Sequence, residues 1–323
     1  MLLDLAFTVG GLVVLIFAAD RLVTSAVRIS RYLGVSAILI GAVVVGFGTS
    51  APEFLVSGLA AAEGHLDLAM SNVISSNISN VTLVLGTAAV LVTLASRRAI
   101  VRREGALMFA SVVALAVVLA DGWVHQWEGA LLMIGMIVAI YLLVRWSRAD
   151  GPLLPPEFDE DHESERGADG DEEIRRDRAA LGREIVIGLV ALVLTLLAAD
   201  FLLDGAIGLG ERFGLSPAFL GLLTGVGTSL PELSAAIAGA RRRHVDLVLG
   251  NVMGSNIFNS LGVAGVAAVL GPGELLHITP ALIVIMIVAC AVAGAFANTG
   301  QRIIRAEGIA LLVAFVVYVV VVF

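Results

Sequence analysis

A hexapeptide that carries both a proline and a carboxylate occurs twice inside long apolar stretches, as Gly48-Thr49-Ser50-Ala51-Pro52-Glu53 and as Gly227-Thr228-Ser229-Leu230-Pro231-Glu232. A charged side chain in hydrocarbon costs from roughly 3 kcal/mol on insertion scales to well above 10 in simulation, and proline removes a helical hydrogen bond. Any fold of this chain must compensate both penalties at two places. Aligned without a gap, residues 48–86 and 227–265 share 17 of 39 identities, more than a chain rich in Ala, Gly and Val gives by chance. The chain is therefore read as two copies of one unit.

Composition sets the class. With 59% hydrophobic and 15% charged residues and a mean hydropathy of +0.98, the chain is built for a bilayer. Apolar runs of the roughly 20 residues needed to cross about 30 Å of hydrocarbon lie near 5–28, 35–61, 68–94, 105–121, 128–146, 184–206, 215–240, 246–270, 278–297 and 304–323. The expected fold is an all-α integral membrane protein of ten transmembrane helices, five per copy. The first run carries Asp4 and lacks a basic leader and a small-residue cleavage site, so it reads as a retained span. An odd number of helices per copy makes the second copy enter the membrane from the opposite side. The result is two inverted repeats, residues 1–146 with a core at 41–86 and residues 184–323 with a core at 221–265.

Arginine fixes the orientation, because the chain has no lysine. If ten helices alternate, 19 of 20 arginines, Arg21 included, fall on one side and only Arg212 on the other. The positive-inside rule makes the rich side cytoplasmic, in a cell membrane, with both termini outside. Residues 147–183 hold twelve acidic side chains and almost no apolar periodicity, and read as a solvated cytoplasmic linker. Asp159, Asp161 and Glu163 open like a calcium-binding EF-hand loop, but Ser164 stands where the turn needs Gly and Gly170 where the bidentate Glu belongs.

The hexapeptides have a logic for binding cations. Pro52 and Pro231 lack an N–H, so the carbonyls of Gly48 and Gly227 lose their helical partners and are freed at membrane depth. Thr49, Ser50 and Glu53 share one helical face at spacings of four and three. In the following helix Asn72, Ser76 and Asn80 form a polar stripe, repeated as Asn251, Ser255 and Asn259, with Asn77 and Asn256 beside it. Two blander readings exist. Asn and Ser in a span commonly join helices, and Ser50-x-x-Glu53 and Ser229-x-x-Glu232 fit a capping box. Neither explains a carboxylate at mid-membrane, whereas a bound cation does. Carboxylate, hydroxyl, amide and carbonyl oxygens with two negative charges suit a hard ion such as Ca²⁺ or Na⁺. Soft metals are disfavoured: Cys290 is the only cysteine, His65 and His244 read as helix-start residues beside capping Asp67 and Asp246, and His125, His162 and His277 lie in loops.

GTSAPE with NVISSNISN, and GTSLPE with NVMGSNIFN, resemble the paired α-repeats of the sodium/calcium exchangers in the cation/Ca²⁺ exchanger superfamily. The likeness runs over the whole chain, through the inverted plan, the Ala-Ala-Asp segments ending at Asp20 and Asp200, and the central loop. It implies Na⁺/Ca²⁺ exchange by alternating access, with Glu53 and Glu232 bridging the ions. The implied companions are Thr49, Ser50, Ser76 and Asn80 from one half, Thr228, Ser229, Ser255 and Asn259 from the other, and the carbonyls of Gly46 and Gly225. Asn259, where many relatives carry Asp, points to potassium independence. Ser75 replaces a family glycine that Gly254 keeps, and Gly221 to Gly227 is one residue shorter than Gly41 to Gly48.

Competition of Ca²⁺ and several Na⁺ for one doubly negative pocket gives antiport, and an inside-negative cell drives Ca²⁺ outward. The first helix of each repeat, 5–28 and 184–206, is expected to slide or rock against the rest. Asp20 and Asp200 are read either as lining the ion route or as helix-end groups. Two alternatives stand beside this. A Ca²⁺/H⁺ antiporter would use the glutamates as proton carriers, although the Asn-Ala-x-Glu-His pattern of that branch is absent. A membrane-embedded enzyme would need a base beside Ser50 or Ser229, and no His or Lys is near either in sequence. No enzymatic activity and no cofactor is expected. Ca²⁺ and Na⁺ are cargo, the lipid bilayer is the surroundings, and nothing suggests nucleic acid or an obligate protein partner.

Overall fold

The computed structural model describes residues 1–95, 97–150, 178–214 and 227–322. Most of the acidic linker, and Gly221 and Gly225 in the approach to the second hexapeptide, lie outside the described residues. The described chain is helical apart from four two-residue strands. Helix α1 runs Leu2–Leu33, longer than the predicted 5–28 because nothing stops it before Gly34. Gly34 takes the left-handed conformation at φ 64°, and the N–H groups of Gly34 and Val35 close onto the carbonyls of Arg31 and Ser30 at 3.1 Å each. At 1.5 Å per residue its 32 residues extend about 48 Å, which exceeds a bilayer core and requires tilt. The broken pair α2 (Ala37–Thr49) and α3 (Ala51–Ala62) follows, bent by 46°. Next come α4 (Leu66–Leu91), β1 (Leu94–Ala95), α5 (Ala106–Leu119), β2 (Trp123–Val124) and α6 (Gln126–Asp150).

In the other half, α7 (Arg178–Arg212) is followed by α8 (Leu230–Arg241) and α9 (Val245–Leu270). β3 (Gly273–Glu274), α10 (Pro280–Asn298), β4 (Arg302–Ile303) and α11 (Arg305–Val322) complete it. Seven described helices are long and apolar enough to cross a membrane, or eight if the bent pair is one span. The count falls short of ten for physical reasons. Helix α5 continues a helical turn at Arg98–Ile100 and a π turn at Val101–Gly105, and that leading stretch carries Arg98, Arg102, Arg103 and Glu104, more charge than a membrane span tolerates. Helix α8 has 12 residues, and the stretch before it lies outside the described residues.

Contacts recur with the halves exchanged. Leu94 pairs with Ile303 and Val124 with Gly273, so each pair becomes the other when 179 is added to one number and subtracted from the other. A Cβ on Gly86 would meet the Gly308 carbonyl at 3.0 Å, and one on Gly129 would meet the Gly265 carbonyl at 2.7 Å, with the same offset. Buried α4 and α9 form the centre. Both contain a π-helical turn, at Asn80–Val84 and at Phe258–Val263. Helices α1 and α7 lie antiparallel beside this bundle, Gly11 against Leu202 and Gly188 against Ser25. Ion pairs close both ends, Arg212 Nε to Asp4 at 2.6 Å and Arg28 Nη1 to Glu184 at 2.7 Å.

Helix α2 crosses α9 backbone to backbone. A Cβ on Gly41 would stand 2.5 Å from the Leu247 carbonyl, one on Gly250 2.4 Å from that of Ile38, and one on Gly254 2.4 Å from Ala42 Cα. Backbone cannot yield as a side chain can. We expect Gly254→Val to destabilise the protein by more than the ~1–3 kcal/mol typical of overpacking and so to lower its melting temperature, whereas Gly10→Val, with nothing within 4 Å, leaves it unchanged. Melting in detergent decides this, and equal behaviour of the two variants would remove the close crossing.

His244, in the turn between α8 and α9, is held down to a pKa of about 4 by burial and by the charges of Arg31 and Arg242. Its unfolded value is near 6.5, so between about pH 6.5 and 4 the unfolded chain binds the extra proton. Stability from this group is full above that window and falls as pH drops through it. Thermal unfolding of His244→Gln should lose part of this acid sensitivity. An identical pH profile would contradict the assignment.

Candidate functional site

The site forms where the break between α2 and α3 meets the start of α8. The α2–α3 chain breaks at Ser50 (φ −83°, ψ 6°), with Pro52 in the first turn of α3, and α8 starts the same way at Ser229 (φ −91°, ψ 5°) with Pro231. The capping box does not form, since neither serine side chain caps its own helix. Ser50 Oγ instead donates to Glu232 Oε1 at 3.1 Å, 182 residues away. Glu53 and Glu232 are each only 1% exposed, and the two carboxylates lie near enough to feel each other's charge.

Around them the oxygens converge. Thr49 Oγ1 bonds back to the Val45 carbonyl at 3.0 Å and lies 3.3 Å from the Gly46 carbonyl and 3.5 Å from Asn251 Oδ1. Such back-bonding bends helices. Ser255 Oγ donates to the Gly46 carbonyl at 3.3 Å, which ties α9 to the end of the π turn Ile40–Gly46. Ser76 lies within interaction range of Glu53 without a hydrogen bond of ordinary geometry. Asn80 and Asn259 both sit in π turns, which insert a residue and recur at functional sites. Thr228 is half-buried beside Ser229.

Most of the described buried side-chain polar atoms without a hydrogen-bond partner belong to predicted site residues, although Asn77 Oδ1 and Asn256 Oδ1 are unpaired as well. Among the described residues, both oxygens of Glu53, Oε2 of Glu232, the hydroxyls of Ser76 and Ser229, and both amide atoms of Asn80 and Asn259 are buried without a hydrogen-bond partner. Buried polar groups are paired in the great majority of cases, so these unpaired atoms, drawn from both halves, are the candidates to hold cations. The donor set is oxygen, which suits hard ions. No group of three or more His, Cys, Asp or Glu able to hold a metal occurs among the described residues.

Other polar residues have structural duties. Asn72 donates to Ser57 Oγ at 3.0 Å and joins α4 to α3. Asn77 donates to Ser260 Oγ at 3.0 Å, and Asn256 to the Asn77 carbonyl at 3.5 Å. Asn251, predicted only as part of the stripe, donates to the Glu232 carbonyl at 3.3 Å and so positions the second carboxylate. Ser75, where a glycine was expected, pairs its hydroxyl with that of Tyr318 at 2.8 Å. Asp67 does not cap its own helix. Its carboxylate accepts from the N–H groups of Leu276 and His277 at 3.1 and 2.9 Å. Asp20 grips Arg242 in a two-pronged ion pair at 2.5 and 2.6 Å.

With this geometry in view, likeness to known proteins becomes informative. Residues 3–145 and 184–323 match the family described as sodium/calcium exchanger protein, one hexapeptide in each block. The putative antiporter CaxA of Alkalimonas amylolytica is 36% identical over 98% of both chains. The sodium/calcium exchanger MaX1 of Methanosarcina acetivorans is 30% identical over 97% of this chain and 96% of its own. A solved structure of the sodium-calcium exchanger NCX_Mj, soaked with zero Na⁺ and Ca²⁺, superposes with a TM-score of 0.83 at 26% identity over 99% of both chains. Matched over nearly its whole length, this all-helical chain, with seven described helices long and apolar enough to cross a membrane, belongs to the sodium/calcium exchanger family.

Proposed function

We propose that the protein is a secondary active antiporter that exchanges Na⁺ for Ca²⁺ by alternating access, without K⁺, and extrudes Ca²⁺. One observation carries this reading. Two fully buried glutamates, one from each hexapeptide, lie within range of each other's charge, and buried oxygens without a hydrogen-bond partner come from both halves. A single Ca²⁺ neutralises both carboxylates, while several Na⁺ must divide the same oxygens, so the two loads exclude one another. The proposed ligands are Glu53, Glu232, Thr49, Ser50, Ser76, Asn80, Thr228, Ser229, Ser255 and Asn259 with the Gly46 and Gly225 carbonyls. Family membership favours this cargo, as does the Na⁺/Ca²⁺ wording of the MaX1 and NCX_Mj names.

The same reading places ten helices as two inverted repeats, 1–146 and 184–323, joined by a cytoplasmic linker at 147–183, with both termini outside. The exchange of strand and glycine contacts between halves is what a two-fold axis in the membrane plane produces. Helices α1 and α7, clamped to each other at both ends, rock as one body across the site. If exchange moves net charge, each elementary charge adds about 2.3 kcal/mol per 100 mV, which favours Ca²⁺ leaving an inside-negative cell. A proton-coupled variant of the same antiport deserves an experimental arm, because the CaxA name specifies an antiporter without naming sodium.

The deciding assay is Ca²⁺ uptake into proteoliposomes loaded with Na⁺ and diluted into Na⁺-free or Na⁺-matched buffer, with a pH-gradient arm. We expect uptake only on the outward Na⁺ gradient. Glu53→Gln and Glu232→Gln should each reduce it at least about 100-fold, or roughly 2.7 kcal/mol. Uptake driven by the pH gradient alone would make the protein a Ca²⁺/H⁺ antiporter.

A second expectation concerns stability. Neutralising one of two adjacent buried carboxylates relieves repulsion when no ion is bound, so Glu53→Gln should melt above the wild type in ion-free buffer. Saturating Ca²⁺ at about 100 times its Kd should stabilise the wild type by about 2.7 kcal/mol and leave Glu53→Gln nearly unmoved. Thermal melts with and without Ca²⁺ read both, and a full Ca²⁺ shift in the variant would take Glu53 out of the site.

A further inference from the structure

A cavity of about 630 Å³ lies apart from the ion site, between α4, α5, α9 and α10. That volume is in the range that holds a sizeable organic ligand. Its walls are apolar, with Phe109, Leu249, Met253 and Ala293 among them, and Ala291 and Ala295, exposed on α10, place its opening on the outer face of the bundle. Arg98 and Arg102 also line it, both exposed and one helical turn apart, and Asn298 joins them from the end of α10. The neighbouring arginines are committed elsewhere: Arg103 Nε donates to the Ala99 carbonyl with its guanidinium over Trp146, and Arg97 acts on Asp246.

An apolar slot open to the bilayer with two cations at its rim matches one molecule in both parts. We propose that it binds a single anionic phospholipid, the phosphate held by Arg98 and Arg102 and one acyl chain lying between α5 and α10. Basic pockets between transmembrane helices take anionic headgroups, and each Lys or Arg near a negative membrane surface contributes about 1 kcal/mol. The site is one-sided. Positions related by the 179-residue offset to Arg98, Arg102 and Asn298 hold His277, Ala281 and Leu119, so the other half offers no arginine pair. The rim lies at the membrane end where arginine is concentrated, next to the leaflet whose surface is negative if that end is cytoplasmic.

Gly294 supplies a clean test. It lines the cavity, and a Cβ built there meets nothing within 4 Å, so Gly294→Phe fills the slot without a clash at its root. Native mass spectrometry of the full chain would be run with phosphatidylglycerol, phosphatidylcholine or inorganic phosphate added. We expect one retained phosphatidylglycerol, preferred at least about 10-fold over phosphatidylcholine. Arg98→Gln with Arg102→Gln should abolish the preference, and Gly294→Phe should abolish retention of the lipid. Melting temperatures near wild type would show that both variants fold. Phosphatidylglycerol retained equally by wild type and both variants, or retention of inorganic phosphate with no lipid, would overturn the assignment. The readout is lipid mass, so it stands or falls independently of whether the protein exchanges Na⁺ for Ca²⁺.

Discussion

Two carboxylates buried beside one another in hydrocarbon are the constraint on which the rest of the architecture rests. Each stands in the first turn of a helix that begins inside the protein, and a buried helix start requires that its first N–H groups and the last carbonyls of the preceding segment find partners. At the break at Ser50 the side chains turn away from local capping and toward the other half. Ser50 reaches Glu232, Asn251 reaches the Glu232 backbone, and Ser255 reaches the Gly46 carbonyl. Those bonds require α2 and α9 to approach until their backbones touch. Gly41, Gly250 and Gly254 follow from that requirement, because any side chain would hold the helices apart.

Outside this centre the packing changes character. The central bundle is tied by buried hydrogen bonds such as those of Asn77 and Asn256, which join the two halves. Helices α1 and α7 are instead joined to each other by ion pairs at their ends and by small residues between. Of the ties from this pair to the bundle, the Asp20–Arg242 ion pair is exposed on both partners. Its repeat-related positions carry Asp200 and Glu63, two carboxylates that cannot form such an ion pair. The two ends of the pair are therefore held to the bundle by unequal electrostatics, although the surrounding sequence is duplicated.

Much of this was legible in the sequence because duplication is arithmetic. The 179-residue offset read from two hexapeptides also relates the strand pairs Leu94–Ile303 and Gly273–Val124, which have no sequence signal of their own. Helix ends were less legible. Helix α1 runs to Leu33 because Gly34 can take φ 64°, whereas hydropathy fades several residues earlier. The capping box was misread because a local pattern cannot reveal a stronger partner 182 residues away. Asp67 misled for the same reason, its partners lying at Leu276 and His277. Asp20 was left open between ion route and helix-end group, and its partner Arg242 is 222 residues distant.

The polar stripes show what separates a joint from a cage. Asn72, Asn77 and Asn80 are the same residue type in one helix, and spacing alone treats them alike. Their hydrogen bonds do not. Asn72 spends its amide nitrogen on Ser57, and Asn77 on Ser260. Neither amide atom of Asn80, nor of its counterpart Asn259, has a partner among the described residues. A buried amide left wholly unpaired costs on the order of 1–3 kcal/mol, and here the deficit falls at equivalent positions in both halves, in π turns, with unspent glutamate and serine oxygens among the same set of buried atoms. Packing alone does not account for such residues, and this deficit is what the proposed cation shell would relieve.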